Sequence, residues 1–87
     1  MFIRGRVHGV SFRVSVARRA QSSGLTGWVR NRFDGSVEVM AEGSPTALSS
    51  LRVFCADGPR GAHVRDLEVH DETETGEFVA FSVRPDA

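Results

Sequence analysis

Between Gly5 and Arg13 the chain reads GRVHGVSFR, a run of two glycines and a serine that closes on a guanidinium. Residues of these types at this spacing can hold an anion. The first turn of a helix leaves backbone N–H groups unpaired, and its dipole adds about half a positive charge there. Gly9 can take backbone angles that let the amides of His8, Gly9, Val10 and Ser11 curl into a concave nest. Arg13, expected in the first helical turn, adds a planar fork that matches phosphate oxygens. The stretch therefore predicts a phosphate cradle made of loop amides and one arginine.

Other phosphate-handling motifs do not fit the same letters. A P-loop needs G-x4-G-K-[ST], but Gly5 and Gly9 are four apart and the chain has no lysine. The dinucleotide pattern G-x-G-x-x-G is also missing. A thiolate-dependent phosphatase would carry cysteine at the start of the loop, where Val7 stands. Ser11 lies too close to Arg13 to be assigned as a nucleophile, and no His–Asp pair is evident to activate it. On these residues alone, a plain glycine-containing strand-to-helix connection remains the favoured reading.

The surrounding pattern supplies the elements that must position the loop. MFIRGRV, Met1 to Val7, reads as a short strand. From Phe12 the apolar residues Phe12, Val16, Ala17 and Ala20 fall on one helix face, and Gly24 ends that helix. TGWVRNR and SVEVMAE read as a hairpin around Asp34-Gly35. In its second strand Val37, Val39 and Ala41 are expected inside, with Glu38, Met40 and Glu42 in water. Ser44 is the expected N-cap of a second helix, with Pro45 at its first position and Gly58-Pro59 at its end. HVRDLEVH and EFVAFSVR read as two further strands, joined by the solvated acidic turn DETETGE.

The order β-α-β-β-α-β-β is that of an α+β, ferredoxin-like split βαβ sandwich, βαββαβ with an optional extra edge strand. Two right-handed crossovers would place both helices on one face of an antiparallel sheet, with the first and third strands inside. Eighty-seven residues suit one domain spanning 1–87 with one small core. No apolar run approaches the ~18 residues of a membrane span, and no secretory signal precedes Arg4 and Arg6. A lone Cys55 on the apolar stripe of the second helix reads as inert core and suits a reducing cytoplasm.

Net charge is zero but uneven: residues 1–33 hold seven arginines and no acid, while residues 34–87 hold four arginines and eleven acids. The N-terminal third should attract anions if its arginines converge. His63 and His70 are seven apart, which on one strand would put them on opposite faces and argues against a metal site. The apolar positions Val64, Leu67 and Val69 skip a step near Arg65-Asp66, as at a bulge. Trp28 reads as a packing residue.

IRGRVHGVSFR (Ile3–Arg13) and GWVRNRFDGSVEVMAEG (Gly27–Gly43) together resemble the two signature segments of the acylphosphatase family, in the same order and at the same separation. The similarity extends over nearly the whole chain, including LTGWV and TGEFVAFSV. It implies a stand-alone, monomeric hydrolase of acyl phosphates in which Arg13 binds the phosphoryl group and Asn31 orients the attacking water. It implies no cofactor, no metal, no nucleic acid and no membrane; the loop would also accept inorganic phosphate. Two departures stand out. His8 occupies the place where the family usually has glutamine, and the first strand has fewer residues before Gly5 than family members normally carry. A shortened interior strand would leave ladder groups exposed on both neighbours.

The alternatives are a non-catalytic acylphosphatase-like domain of the kind appended to hydrogenase maturation proteins, or a nucleic-acid-binding ferredoxin-like module. The second would need base-stacking aromatics on its central strands; SVEVMAEG has none and points Glu38 and Glu42 outward.

Overall fold

A computed structural model describes residues 1–87. Seven elements follow one another: β1 (Phe2–Arg6), α1 (Phe12–Ser22), β2 (Thr26–Asn31), β3 (Val37–Glu42), α2 (Pro45–Asp57), β4 (His63–Glu68) and β5 (Phe81–Val83). The strands form one sheet in the order β4-β1-β3-β2-β5, so β1 and β3 lie inside as expected. α1 packs over β2 and β5, α2 packs over β4, and the helices touch one another. This is the α+β ferredoxin-like arrangement.

Each helix forms where its sequence permits. Phe12, Val16, Ala17 and Ala20 are the buried residues of α1. Ser44 caps α2 by accepting a hydrogen bond on its Oγ from the Ala47 amide, and Pro45 takes a position whose N–H would be unpaired anyway. Between helices and sheet, Ile3, Val16, Val29, Val37, Leu51 and Cys55 are among the side chains sealed in one core. Each contributes about 1.5–3 kcal/mol of apolar burial in a large-residue case. Burial also pushes the Cys55 thiol up to about 12, which fits an inert core residue.

The sheet departs from expectation at its edge. β5 lies parallel to β2, so the sheet is mixed rather than antiparallel. The last strand is also short, covering Phe81–Val83 instead of Glu77–Arg84. Glu42 explains the shortening. It is buried rather than in water, and its carboxylate accepts hydrogen bonds from the Thr75 amide, the Thr75 hydroxyl and the Gly76 amide. The acidic segment is thereby held against β3, and the chain joins the ladder only where the Gly27 amide donates to the Ala80 carbonyl. These bonds, the Thr75 amide foremost, hold the Glu42 carboxyl below its ordinary range.

The bulge is present. Arg4 pairs with Asp66 but Gly5 pairs with Val64, leaving Arg65 as the extra residue. His63 opens β4, whereas His70 lies beyond its end beside Glu68, so the two histidines do not share a strand. Trp28 is buried as a packing residue should be, but on the face away from the helices. It alternates with the core residue Val29, and the Arg30 and Arg84 guanidinium groups cover its ring at 4.6 and 4.9 Å. On that face Glu38 is paired with Arg30 and, at 3.8 Å, with Arg32.

Candidate active site

The loop between β1 and α1 is pinned at both ends by the core. Val7 and Phe12 are each 2% exposed, so the residues between them have little freedom to drift. Gly9 has φ +72°, the left-handed geometry the sequence pattern suggests. Ser11 is left-handed too, with φ +59°. A serine gives no sequence signal for this, and the conformation costs about 1–2 kcal/mol in a residue with a Cβ. Its carbonyl accepts the first helical hydrogen bond, from the Ser15 amide at 3.0 Å. Two left-handed residues two apart bend the intervening backbone into a concave turn, as an anion nest requires.

His8 ties this loop to the β2–β3 hairpin. Its Nε2 lies 2.9 Å from the Ser36 carbonyl. A carbonyl only accepts, so Nε2 carries the proton and donates it. The same carbonyl accepts from the Arg32 amide at 2.8 Å. Ser36 is fixed in turn by Asp34, whose Oδ1 accepts from the Ser36 hydroxyl at 2.6 Å and its amide at 2.9 Å. Those two bonds, the hydroxyl first, hold the Asp34 carboxyl below its ordinary range.

Asn31 closes β2 opposite Val37, one residue from Ser36. It points to the helix side of the sheet with the core residues Val29 and Val37. It is 8% exposed, and its buried Oδ1 has no hydrogen-bond partner within the protein. A buried amide oxygen left in this way is costly unless something donates to it, about 1–3 kcal/mol. Arg13 lies in the first turn of α1, with no acid beside it in that turn. Its Nη1 donates to Asp86 Oδ1 at 3.2 Å. The segment that carries Asp86 continues alongside β2. The Arg84 amide donates to the Val29 carbonyl, the Ala87 amide donates to the Asn31 carbonyl, and the Phe33 amide donates to the Ala87 carbonyl.

The Arg13 side chain and the Asn31 backbone carbonyl each contact one of two consecutive residues, Asp86 and Ala87. His8 joins them through Ser36, and Gly9, Val10 and Ser11 complete the loop. Asp86 was not legible as a site residue: it lies 73 positions from Arg13, and no spacing rule connects them. His63, His70 and Cys55 belong to other elements and are not gathered with this group. No three His, Cys, Asp or Glu side chains are placed together as metal ligands.

The acylphosphatase family model matches residues 1–83. The chain belongs to the acylphosphatase family. It is 46% identical over 86 residues to an acylphosphatase of Methylococcus capsulatus, covering 99% of this chain and 94% of that one. The fold of the acylphosphatase from Bacillus subtilis superposes with a TM-score of 0.91 at 37% identity, over 95% of this chain and 92% of that one. A full-length HypF, described in its phosphate- and nucleotide-bound form, superposes at 0.84 and 27% identity, with this chain spanning 11% of its length. As an acylphosphatase, the chain hydrolyses the carboxyl-phosphate bond of a small acyl phosphate. No helix is long and apolar enough to cross a membrane.

Proposed function

We propose that this acylphosphatase acts by direct in-line attack of a water held by Asn31, with the phosphoryl group on Arg13 and the amides of His8 to Ser11. The water oxygen bonds to phosphorus as the bond to the acyl oxygen breaks, and the electron pair leaves with the carboxylate. Both water protons leave on dihydrogen phosphate, which ionises in solution. A carboxylate is a good leaving group, so positioning and charge stabilisation suffice, and neither a metal nor a covalent intermediate is obligatory.

The observation that carries this reading is the buried Asn31 Oδ1 with no partner in the protein, on a residue whose strand partner Val37 adjoins the Ser36 held by His8 of the loop. It can accept a hydrogen bond from water and aim its oxygen without acting as a base. Arg13 supplies the charge that grows on the equatorial oxygens. Hydrolysis of benzoyl phosphate with inorganic phosphate as inhibitor tests both roles. Arg13→Gln should lose phosphate inhibition and at least about 10²-fold in kcat/KM. Asn31→Ala should keep phosphate inhibition and lose kcat; an active Asn31→Ala enzyme would refute the assignment.

The same reading places the chain as a single catalytic domain, working as a monomer in the reducing cytoplasm. The lone, buried Cys55 supports the compartment. Sedimentation equilibrium at micromolar concentration checks the monomer.

A further inference from the structure

In-line displacement has two ends, and the mechanism proposed above puts Asn31 and its water at one of them. The acyl oxygen then leaves on the far side of phosphorus from Asn31. The phosphate loop springs from β1, and in the sheet order β4-β1-β3-β2-β5 Asn31 lies two strands away, on β2. The far side is therefore the side of β4. The turn over residues 59–62, which joins α2 to β4, stands there. A Cβ on Gly61 would lie 3.8 Å from Val10 Cγ1, and one on Gly58 would lie 3.1 Å from Phe12 Cε2, so this connection borders the phosphate loop and the start of α1.

The turn holds one cation in a defined place. The Ala62 amide donates to the Pro59 carbonyl at 3.0 Å, and Gly61 has φ +92°, the geometry that favours glycine as the third residue of such a turn. Arg60 is its second residue and is exposed. It makes no ion pair, and neither do Arg6 and His63, which face each other across the ladder where the turn enters β4. Asp57, the acid nearest to Arg60 in sequence, lines a separate hollow with Arg19 and Phe54. Toward β2 the arginines are already paired, Arg13 with Asp86 and both Arg30 and Arg32 with Glu38. Unpaired positive charge therefore lies on the side from which the acyl group departs.

We propose that Arg60 is a specificity residue that reads the acyl side of the substrate and favours acyl phosphates bearing a second anionic group, a carboxylate or a phosphate, on the acyl part. The assignment rests on the water-holding role of Asn31, which sets the exit side. With the phosphoryl group on Arg13 and the loop amides, the acyl part extends past Val10 toward the turn. A second anion there meets a forked donor that no protein carboxylate occupies. An uncharged acyl part gains nothing from that contact, so Arg60 acts on the choice between substrates.

The test compares benzoyl phosphate with 4-carboxybenzoyl phosphate, which differ by one carboxylate at the far end of the ring. The readout is the ratio of kcat/KM for the carboxylated substrate to that for the plain one. Arg60→Gln should lower this ratio by about 3- to 5-fold, the upper part of what one exposed ion pair contributes. Arg60→Lys should keep most of the ratio, Arg60→Glu should lower it further than Arg60→Gln, and added salt should shrink the difference between parent and Arg60→Gln. A purely structural role for Arg60 would weaken both substrates alike and leave the ratio unmoved. An unchanged ratio in Arg60→Gln and Arg60→Glu overturns the acyl-side assignment whatever Asn31 does. Asn31→Ala, run on benzoyl phosphate alone, reports separately on the water: kcat retained there overturns the water-holding role and with it the exit side drawn from it.

Discussion

Asp86 pairs with Arg13, the arginine proposed to bind the phosphoryl group, and replacing it should tighten phosphate binding. The Arg13–Asp86 pair has a contact of 3.2 Å, with side chains 38% and 48% exposed. A pair exposed to this degree is worth about 0.2–1 kcal/mol. An anion that takes Arg13 Nη1 must break it, which weakens anion binding by about 1.4- to 5-fold at RT of about 0.6 kcal/mol. A second effect has the same sign. A phosphate dianion roughly 6 Å from the Asp86 carboxylate meets about 0.6 kcal/mol of repulsion in water at physiological salt, a further factor of about three. Asp86→Asn removes both effects, so the inhibition constant for inorganic phosphate should fall by about 4- to 15-fold, measured by competition against benzoyl phosphate. The gain should shrink as salt is raised, because its repulsive part is screened. An unchanged or weaker phosphate constant, in an enzyme whose Arg13→Gln form has lost phosphate inhibition, would refute the competition and make Asp86 a holder of Arg13 instead.

Two further expectations concern the frame around the site. A Cβ on Gly5 would lie 2.1 Å from the His63 carbonyl oxygen and 2.7 Å from the Arg65 amide, at φ +133°, with only backbone in its way. Gly5→Ala should therefore cost more than about 3 kcal/mol, seen as a lower urea midpoint at unchanged slope. Glu42→Gln tests the clamp on the acidic segment. The folded-state carboxyl lies below its ordinary value, so its stabilisation is present above the unfolded pKa and fades as pH falls through the folded one. The variant should be less stable than the parent at pH 7, and the gap between the two urea midpoints should narrow as pH falls below the unfolded carboxyl's value of about 4.3; a gap that does not narrow with acid would count against the clamp.

What the sequence reveals here is whatever depends on neighbours along the chain. The helical face of α1, the Ser44 cap, the Asp34-Gly35 hairpin and the Gly9 turn each follow from a few adjacent residues, and each forms as read. The features that were not legible depend on partners far along the chain. β5 takes its direction and starting point from a segment held by Glu42, 33 positions away. Glu42 itself looked like a water-facing residue by alternation, and only the arriving Thr75 and Gly76 groups account for its burial. The left-handed Ser11 is imposed by the Val7 and Phe12 anchors on either side of the loop rather than by any preference of serine.

The place of His8 in the loop follows from the same anchoring. Its bond to the Ser36 carbonyl requires a proton on Nε2, and that proton is present both in the imidazolium and in one neutral tautomer. A glutamine at this position could make the same contact through its amide N–H group, so the substitution leaves the tie between loop and hairpin in place. That tie matters because the two halves of the proposed mechanism sit on different elements, Arg13 on α1 and Asn31 on β2. Ser36 lies one residue from the partner of Asn31, so holding His8 to Ser36 ties the β1–α1 loop to the strand that carries Asn31. In-line attack depends on that relative position far more than on the strength of either group alone.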